Sequence, residues 1–334
     1  MSKTIVVNNI EALTNSLDLN MEKDQRIIIY GEDAGFEGGV FRATQGLQAK
    51  YGEKRIFDSP IAETGIMGTA VGAALAGLRP VVELQFSGFC FPALMNLFSH
   101  AARYRNRSRG RFSCPLVLRM PMGGGVKALE HHSESLEAIF AHIPGLKVVM
   151  PSTPYDTKGL MTAAINDPDP VVFFEPKRIY RAFKQEIPEE LYEVEIGKAN
   201  VVNQGTDVTL VSFGASLHDC LAALKSLKEN SETANISVEL IDLRTIKPWD
   251  RNTVINSVKK TGKLMIVHEA VKSFSVSAEI IATINEKAFY NLKAAPVRLT
   301  GWDITVPYAL GEPLHMVSPE RIASEIVKLA KIEE

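Results

Sequence analysis

The sequence predicts an α/β protein of two doubly wound units, the second smaller than the first. Three observations predict it. Short apolar runs bounded by Gly, Pro or charge alternate with helical patterns through most of the 334 residues. Strands alternating with helices of that length imply parallel βαβ crossovers and an open sheet with helices on both faces. The alternation lapses over Arg178–Ala199, a charged stretch without a clear period that includes Lys184-Gln-Glu-Ile-Pro-Glu-Glu190, and a second α/β series follows it. The expected organisation is a first domain over 1–185, a linker over 186–203 and a second domain over 204–334.

Within the first domain, Arg26–Tyr30, Pro80–Phe86, Pro115–Met120, Lys147–Met150 and Val171–Phe174 read as buried strands. Thr64–Leu78, Pro92–Arg107, Ser135–His142 and Pro154–Asn166 read as the helices between them. The second series comprises strands Asp207–Ser212, Ser237–Ile241, Lys263–Val267 and Pro296–Leu299, with helices Leu217–Lys228, Ser277–Phe289 and Pro319–Ile332. Several glycines and alanines fall in the helix after residue 63, where Gly costs up to about 1 kcal/mol relative to Ala. The small residues Gly68, Gly72 and Ala76, four apart, let another helix backbone approach closely, either within the domain or, as we favour, across a subunit interface.

Composition narrows the function. Hydrophobic residues at 46% and charged residues at 23% are an ordinary globular balance. Lys plus Arg total 37 against 39 Asp plus Glu, so no global basic field favours nucleic acid or an anionic membrane. The run Arg103-Tyr-Arg-Asn-Arg-Ser-Arg-Gly-Arg111 is a local exception. It reads first as a solvated helix end with cations at the C-terminal dipole, and second as a polyanion site. Cys90, Cys114 and Cys220 fit no metal or redox spacing and read as reduced, buried thiols of a cytoplasm-like compartment. No apolar stretch approaches the ~20 residues that span a bilayer, and the N-terminus lacks a signal pattern. The expected location is cytoplasmic, or the mitochondrial matrix for a processed chain.

The most informative residue is Glu63, in Arg55-Ile-Phe-Asp-Ser-Pro-Ile-Ala-Glu-Thr-Gly-Ile-Met-Gly68. An apolar strand leads into a Pro-containing turn, then an acid, then a glycine-rich helix, so the carboxylate stands on rigid backbone at a helix N-terminus. Taken alone it reads equally well as a dipole-stabilising helix residue. Other motifs accompany it in order: Gly31-Glu-Asp33, Gly38-Gly-Val-Phe-Arg-Ala-Thr-Gln-Gly46, Arg79-Pro-Val-Val-Glu-Leu-Gln-Phe86, Arg119-Met-Pro-Met-Gly-Gly-Gly125 and His132-Ser-Glu-Ser135. Farther on come Asp167-Pro-Asp-Pro170, Ile241-Asp-Leu-Arg-Thr-Ile-Lys-Pro248 and Val267-His-Glu-Ala270.

Over essentially the whole chain these motifs resemble the beta subunit of the thiamin-diphosphate-dependent decarboxylating component of 2-oxo acid dehydrogenase complexes, of the pyruvate or branched-chain type. The resemblance implies a transketolase-like fold, with an N-terminal domain binding the aminopyrimidine half of the cofactor and a C-terminal assembly domain. It also implies an alpha subunit that holds the diphosphate and Mg2+ through a Gly-Asp-Gly motif, which is absent from this sequence. A two-alpha, two-beta heterotetramer, a lipoyl acyltransferase partner and a 2-oxo acid substrate follow. The segment Val40–Gly46 leans slightly toward the branched-chain type.

By the same resemblance Glu63 is the acid bonded to a pyrimidine ring nitrogen, where it favours the imino tautomer of the neighbouring amino group. Phe89 stacks on that ring, Gln85 is its polar neighbour and Ile61 an apolar contact; plain core packing is the bland alternative for Phe89. His132 matches a histidine suited to proton transfer and guidance of the lipoyl group, with a core histidine as the alternative. The adjacent His131 stands where the family usually has tyrosine, so the role within the pair is open. Lys127 and Ala128-Leu129-Glu130 depart from an arginine and a glycine-rich flexible loop, and Gly88, Met95 and Asn96 from Asp, Asp and Gln. Leu116, Ala164, Asp167 and Asp169 match a loop that holds a structural K+ in some members, with oxygen ligands suited to a hard cation.

Two other functions stay in view. A non-catalytic scaffold docking the acyltransferase would not need Glu63. A nicotinamide-dependent oxidoreductase rests on Gly123-Gly-Gly-Val-Lys-Ala128, which formally satisfies a dinucleotide pattern, although Pro121 interposes and no long helix follows.

Overall fold

The computed structural model describes residues 3–332 and divides the chain into two compact units. One comprises the chain to Met122 with Ile139–Ile196; the other comprises Gly123–Ala138 with the chain from Gly197 onward.

The first unit contains strands β1 (Thr4–Val7), β2 (Ile27–Gly31), β3 (Ile56–Asp58), β4 (Arg79–Glu83), β5 (Val117–Met122), β6 (Lys147–Val149), β7 (Val171–Pro176) and β8 (Gln185–Pro188). Its main sheet places them in the order β6-β7-β5-β4-β2-β3, every pair parallel. Helices Asn9–Lys23, Glu63–Leu75 and Pro154–Asn166 belong to this unit. Leu13, Leu17, Ile29, Val81, Val117, Leu160 and Phe173 share its apolar core.

In this unit the expected strands and helices are present, with ends shifted by a few residues, except where three features differ from expectation. Pro92–Arg107 is not one α-helix: a 3-10 turn (Phe91–Ala93), a π-helical turn (Met95–Ala101) and a short α-helix (Tyr104–Arg107) succeed one another. Pro92, which lacks an amide hydrogen, falls in the first of them. The stretch expected to be irregular contains β8, paired antiparallel with β1. The helix Asn9–Lys23 was not anticipated, although Asn8 and Glu11 form a reciprocal capping box.

The second unit contains β9 (Asn200–Asn203), β10 (Val208–Ser212), β11 (Val238–Asp242), the short β12 (Thr245–Lys247), β13 (Leu264–Val271) and β14 (Val297–Gly301). Its sheet runs β14-β13-β10-β11-β9, parallel except for the β11–β9 pair. The helices Ser216–Glu229 and Pro319–Ala330 contribute Leu217, Leu227, Ile322 and Ile326 to the core beneath it. A helix over Arg251–Thr261, capped by Asp250, had not been anticipated. The three cysteines are buried and form no disulfide, and among the described residues no helix is long and apolar enough to cross a membrane.

Candidate active site

Gly31, the last residue of β2, pairs in register with Asp58 of β3 and Glu83 of β4, so three adjacent parallel strands end level. The carboxyl edge of such a sheet is where open α/β folds place ligands. Ile61, Glu63, Gln85 and Phe89 all follow those strand ends within a few residues, which brings them to one edge.

Glu63 is the first residue of its helix and is half-buried, and among the described residues no hydrogen bond or cation claims its carboxylate. The helix beside it is fixed: Thr64 Oγ1 donates to the Pro92 carbonyl at 2.7 Å, and Asn96 Nδ2 donates to the Thr64 carbonyl at 2.8 Å. Gly68 lets Asn96 in, since a Cβ there would lie 3.1 Å from its Nδ2. By contrast, a Cβ built at Gly72 meets nothing within 4 Å, so the helix is uncovered at that point among the described residues.

Gln85 donates Nε2 to Asp33 Oδ2 at 2.9 Å, which aims its side chain. Phe89 is half-buried, with its ring edge-on to Phe86 at 5.5 Å; Phe86 in turn meets Phe41 at 5.6 Å. Around this edge large apolar side chains stand in solvent: Phe36 and Ile61 are each 84% exposed, Met95 68% and Phe91 49%.

Sequence reasoning quoted Gly31-Glu32-Asp33 but gave Glu32 no role. Glu32 is buried, and its Oε1 has no hydrogen-bond partner. Burial raises its pKa, and the negative charges of Glu63, Asp33 and Glu83 raise it further. Underneath, Arg119 is fully buried between two acids. It makes a two-point contact with Glu175, Nε to Oε1 at 2.7 Å and Nη2 to Oε2 at 2.9 Å, and donates Nη1 to Glu83. Tyr180 also donates to Glu175.

His132 lies in the other unit, within the strap Gly123–Ala138. Gly123 N donates to the Glu134 carbonyl at 3.2 Å, closing the base of the loop, and a 3-10 turn Glu130–His132 forms its tip. His131 is exposed and His132 half-buried. The motif Val267–Ala270 lies on β13: His268 is buried, bonded to Ser277 Oγ at 2.9 Å and pushed by burial down to about 4, so it stays neutral. Glu269 instead accepts from Gly124 N at 3.2 Å. In this glycine run, whose amides a dinucleotide fold would turn toward phosphate, those of Gly124 and Gly125 are taken by carboxylates and that of Gly123 by the Glu134 carbonyl.

At the loop expected to hold potassium, Leu116 and Ala164 are buried, and the Leu116 carbonyl accepts from Val171 N at 3.0 Å. Asp167 pairs with Lys147 and Asp169 with Arg105, so both carboxylates already face cations. Among the described residues no cluster of three or more His, Cys, Asp or Glu could hold a metal.

Comparison with known proteins matches residues 6–182 to the transketolase pyrimidine binding domain family and residues 197–322 to the transketolase C-terminal domain family. The chain is 62% identical over 326 residues to the pyruvate dehydrogenase E1 component subunit beta of Acholeplasma laidlawii, covering 98% of each. It is 46% identical to the subunit of that name from Bacillus subtilis, covering 91% of this chain and 92% of the relative. To the 2-oxoisovalerate dehydrogenase subunit beta of the same organism it is 44% identical, covering 98% and 99%. A solved structure, titled split gene transketolase, inactive beta4 tetramer, superposes with a TM-score of 0.79 over 98% of this chain and 99% of its own, at 20% identity; this likeness establishes the fold.

Proposed function

The chain belongs to the beta subunits of thiamin-diphosphate-dependent 2-oxo acid dehydrogenases, and from that premise we propose that it supplies the pyrimidine-side half of an active site completed by an alpha subunit. One observation carries the reading: Glu63, a carboxylate without a partner among the described residues, stands on a helix start at the carboxyl edge of the sheet, where exposed apolar side chains also lie. Such a rim suits burial against a second polypeptide. The absence of a Gly-Asp-Gly motif fits a partner that grips the diphosphate and its Mg2+.

Thiamin diphosphate, when bound, supplies the thiazolium carbon that adds to the 2-oxo acid and accepts the electrons released on decarboxylation. Glu63 would hold a proton against a pyrimidine ring nitrogen, and the nearby Glu32 carboxyl is shifted toward its protonated form by burial and then by the charge of Glu63. Phe89 and Ile61 offer the ring apolar surface, and Gln85, aimed by Asp33, offers it an amide. His132 moves a proton when the acyl group passes to a lipoyl arm of the acyltransferase. Pyruvate is the favoured substrate: relatives named for it are 62% and 46% identical, against 44% for a branched-chain one, which outweighs the slight lean of Val40–Gly46. A potassium ion at the Asp167–Asp169 loop would draw on carbonyl oxygens, because the carboxylates are paired. We assign cofactor binding to the domain expected over 1–185 and assembly to the one expected over 204–334, with the strap Gly123–Ala138 belonging to the second unit.

The test is reconstitution with the alpha subunit and a panel of 2-oxo acids. Glu63→Gln should cut decarboxylation by about 10²–10⁴-fold, the range of general acid–base contributions. A rate near wild type would leave the scaffold reading standing. Turnover of branched-chain acids in preference to pyruvate would overturn the substrate assignment.

A further inference from the structure

The strap that carries His132 is held by a carboxylate whose partners are peptide amides. Glu312 opens the short helix Glu312–His315 and is 2% exposed. Its Oε1 accepts from Gly125 N at 2.9 Å and its Oε2 from Lys127 N at 2.7 Å. No cation pairs with it among the described residues. Next to it Glu269 accepts from Gly124 N, so three amides within four residues are claimed by two acids.

The backbone is shaped for this contact. Gly123 and Gly125 have φ of 86° and 84°, and Lys127, at 57°, holds the left-handed region although it carries a side chain. A Cβ at Gly123 would stand 2.6 Å from Glu269 Oε2, and one at Gly124 3.1 Å from Glu312 Oε1 and 3.0 Å from Met316 Sδ. The glycines therefore provide room for carboxylates to reach the main chain. Lys127 is five residues from His132, and the other end of the loop is closed by the Gly123–Glu134 hydrogen bond. The 3-10 turn Glu130–His132 lies between those anchors.

The geometry points to Glu312 as a positioning residue: it clamps the Gly125 and Lys127 amides, and through them sets the place of His132. The inference rests on the reading of His132 given above. A Gln at 312 has the same shape but can offer only one acceptor oxygen, so one amide loses its partner.

The experiment uses the complex reconstituted with the alpha subunit and cofactor, comparing wild type, Glu312→Gln, His132→Ala and the double variant. In Glu312→Gln, hydrogen exchange in peptides covering 123–130 should speed up by about tenfold, while β13 and the helix Pro319–Ala330 keep wild-type protection. Turnover number should fall by up to about 100-fold, with KM for the 2-oxo acid unchanged. The double variant should be no slower than His132→Ala, because both substitutions remove one function. The clamp is refuted if the strap keeps its protection, or if exchange spreads into β13 and the terminal helix, which would mark a general structural role. Multiplying losses in the double variant would refute action through His132. Wild-type turnover in His132→Ala would sink the histidine reading itself and with it the catalytic purpose of the clamp, whatever the exchange shows.

Discussion

Beneath the sheet edge that carries Glu63, buried carboxylates are met by a guanidinium; beneath the strap that carries His132, they are met by backbone amides. The first arrangement sets Arg119 between Glu83 and Glu175 on three neighbouring strands, so full charges oppose one another within regular structure. The second gives Glu312 and Glu269 partial dipoles on a loop. A buried ion pair, once one member is removed, leaves an uncompensated charge, which makes the sheet edge rigid and intolerant of loss. An amide clamp carries less energy per contact and releases the loop when it opens. It also leaves net negative charge nearby. Glu137, at the strap's far end and fully buried, is pushed up to about 7, first by burial and then by the charge of Glu269.

The comparison breaks most visibly at Arg119. Arg119→Met should destabilise the protein by about 3–5 kcal/mol in urea unfolding, and adding Glu83→Gln with Glu175→Gln should recover much of that loss. If the single substitution is mild, the guanidinium is not what holds the edge. The next effect belongs to Glu137. Its folded-state pKa of about 7 lies above the usual 4.5, so the native state binds the extra proton between those values. The stability this confers is fully present below about 4.5 and is lost as pH rises through 7. Glu137→Gln should therefore gain roughly 2–4 kcal/mol over wild type at pH 8 and little at pH 4, as read from paired thermal melts. A pH-independent difference would contradict the picture.

Smaller effects sharpen the contrast. Gly123→Ala should cost about 1–3 kcal/mol, because both its positive φ and the close approach of Glu269 oppose a Cβ. Pairing it with Glu269→Ala should relieve the steric share and leave the backbone share. Asn8→Ala removes one side of a capping box that belongs to neither carboxylate arrangement. It should cost about 1 kcal/mol and leave exchange in the strap unaltered.

How much could be read in advance follows the same division. Strands such as Val171–Pro176 and the helix Pro154–Asn166 announce themselves by apolar runs and by Pro at a helix start. The strand–turn–helix placement of Glu63 was legible for the same reason. The Asn9–Lys23 helix went unread, although Asn8-x-x-Glu11 is a recognisable start signal. The break at Phe91–Arg107 was hidden because its residues favour a helix locally and only the hydrogen-bond pattern changes. Glu32 was visible only as a motif letter, since its pKa is raised first by burial and then by acids brought in by the fold, Glu63 and Glu83 among them. The clamp left almost no mark: every residue but proline has an amide to donate, and the glycines indicate room without saying for what.

The path of the chain through its two units has a practical consequence. It leaves the first unit after Met122, returns at Ile139 and leaves again after Ile196, so the polypeptide crosses three times. Severing it once near 196 cannot yield two self-sufficient halves. The amino-terminal fragment would retain the Gly124, Gly125 and Lys127 amides without their acceptors, while the carboxyl-terminal fragment would hold the half-buried Glu269 and the buried Glu312 without these donors. Three cuts, one at each crossing, and transfer of the sixteen-residue segment Gly123–Ala138 would be needed to separate the two units.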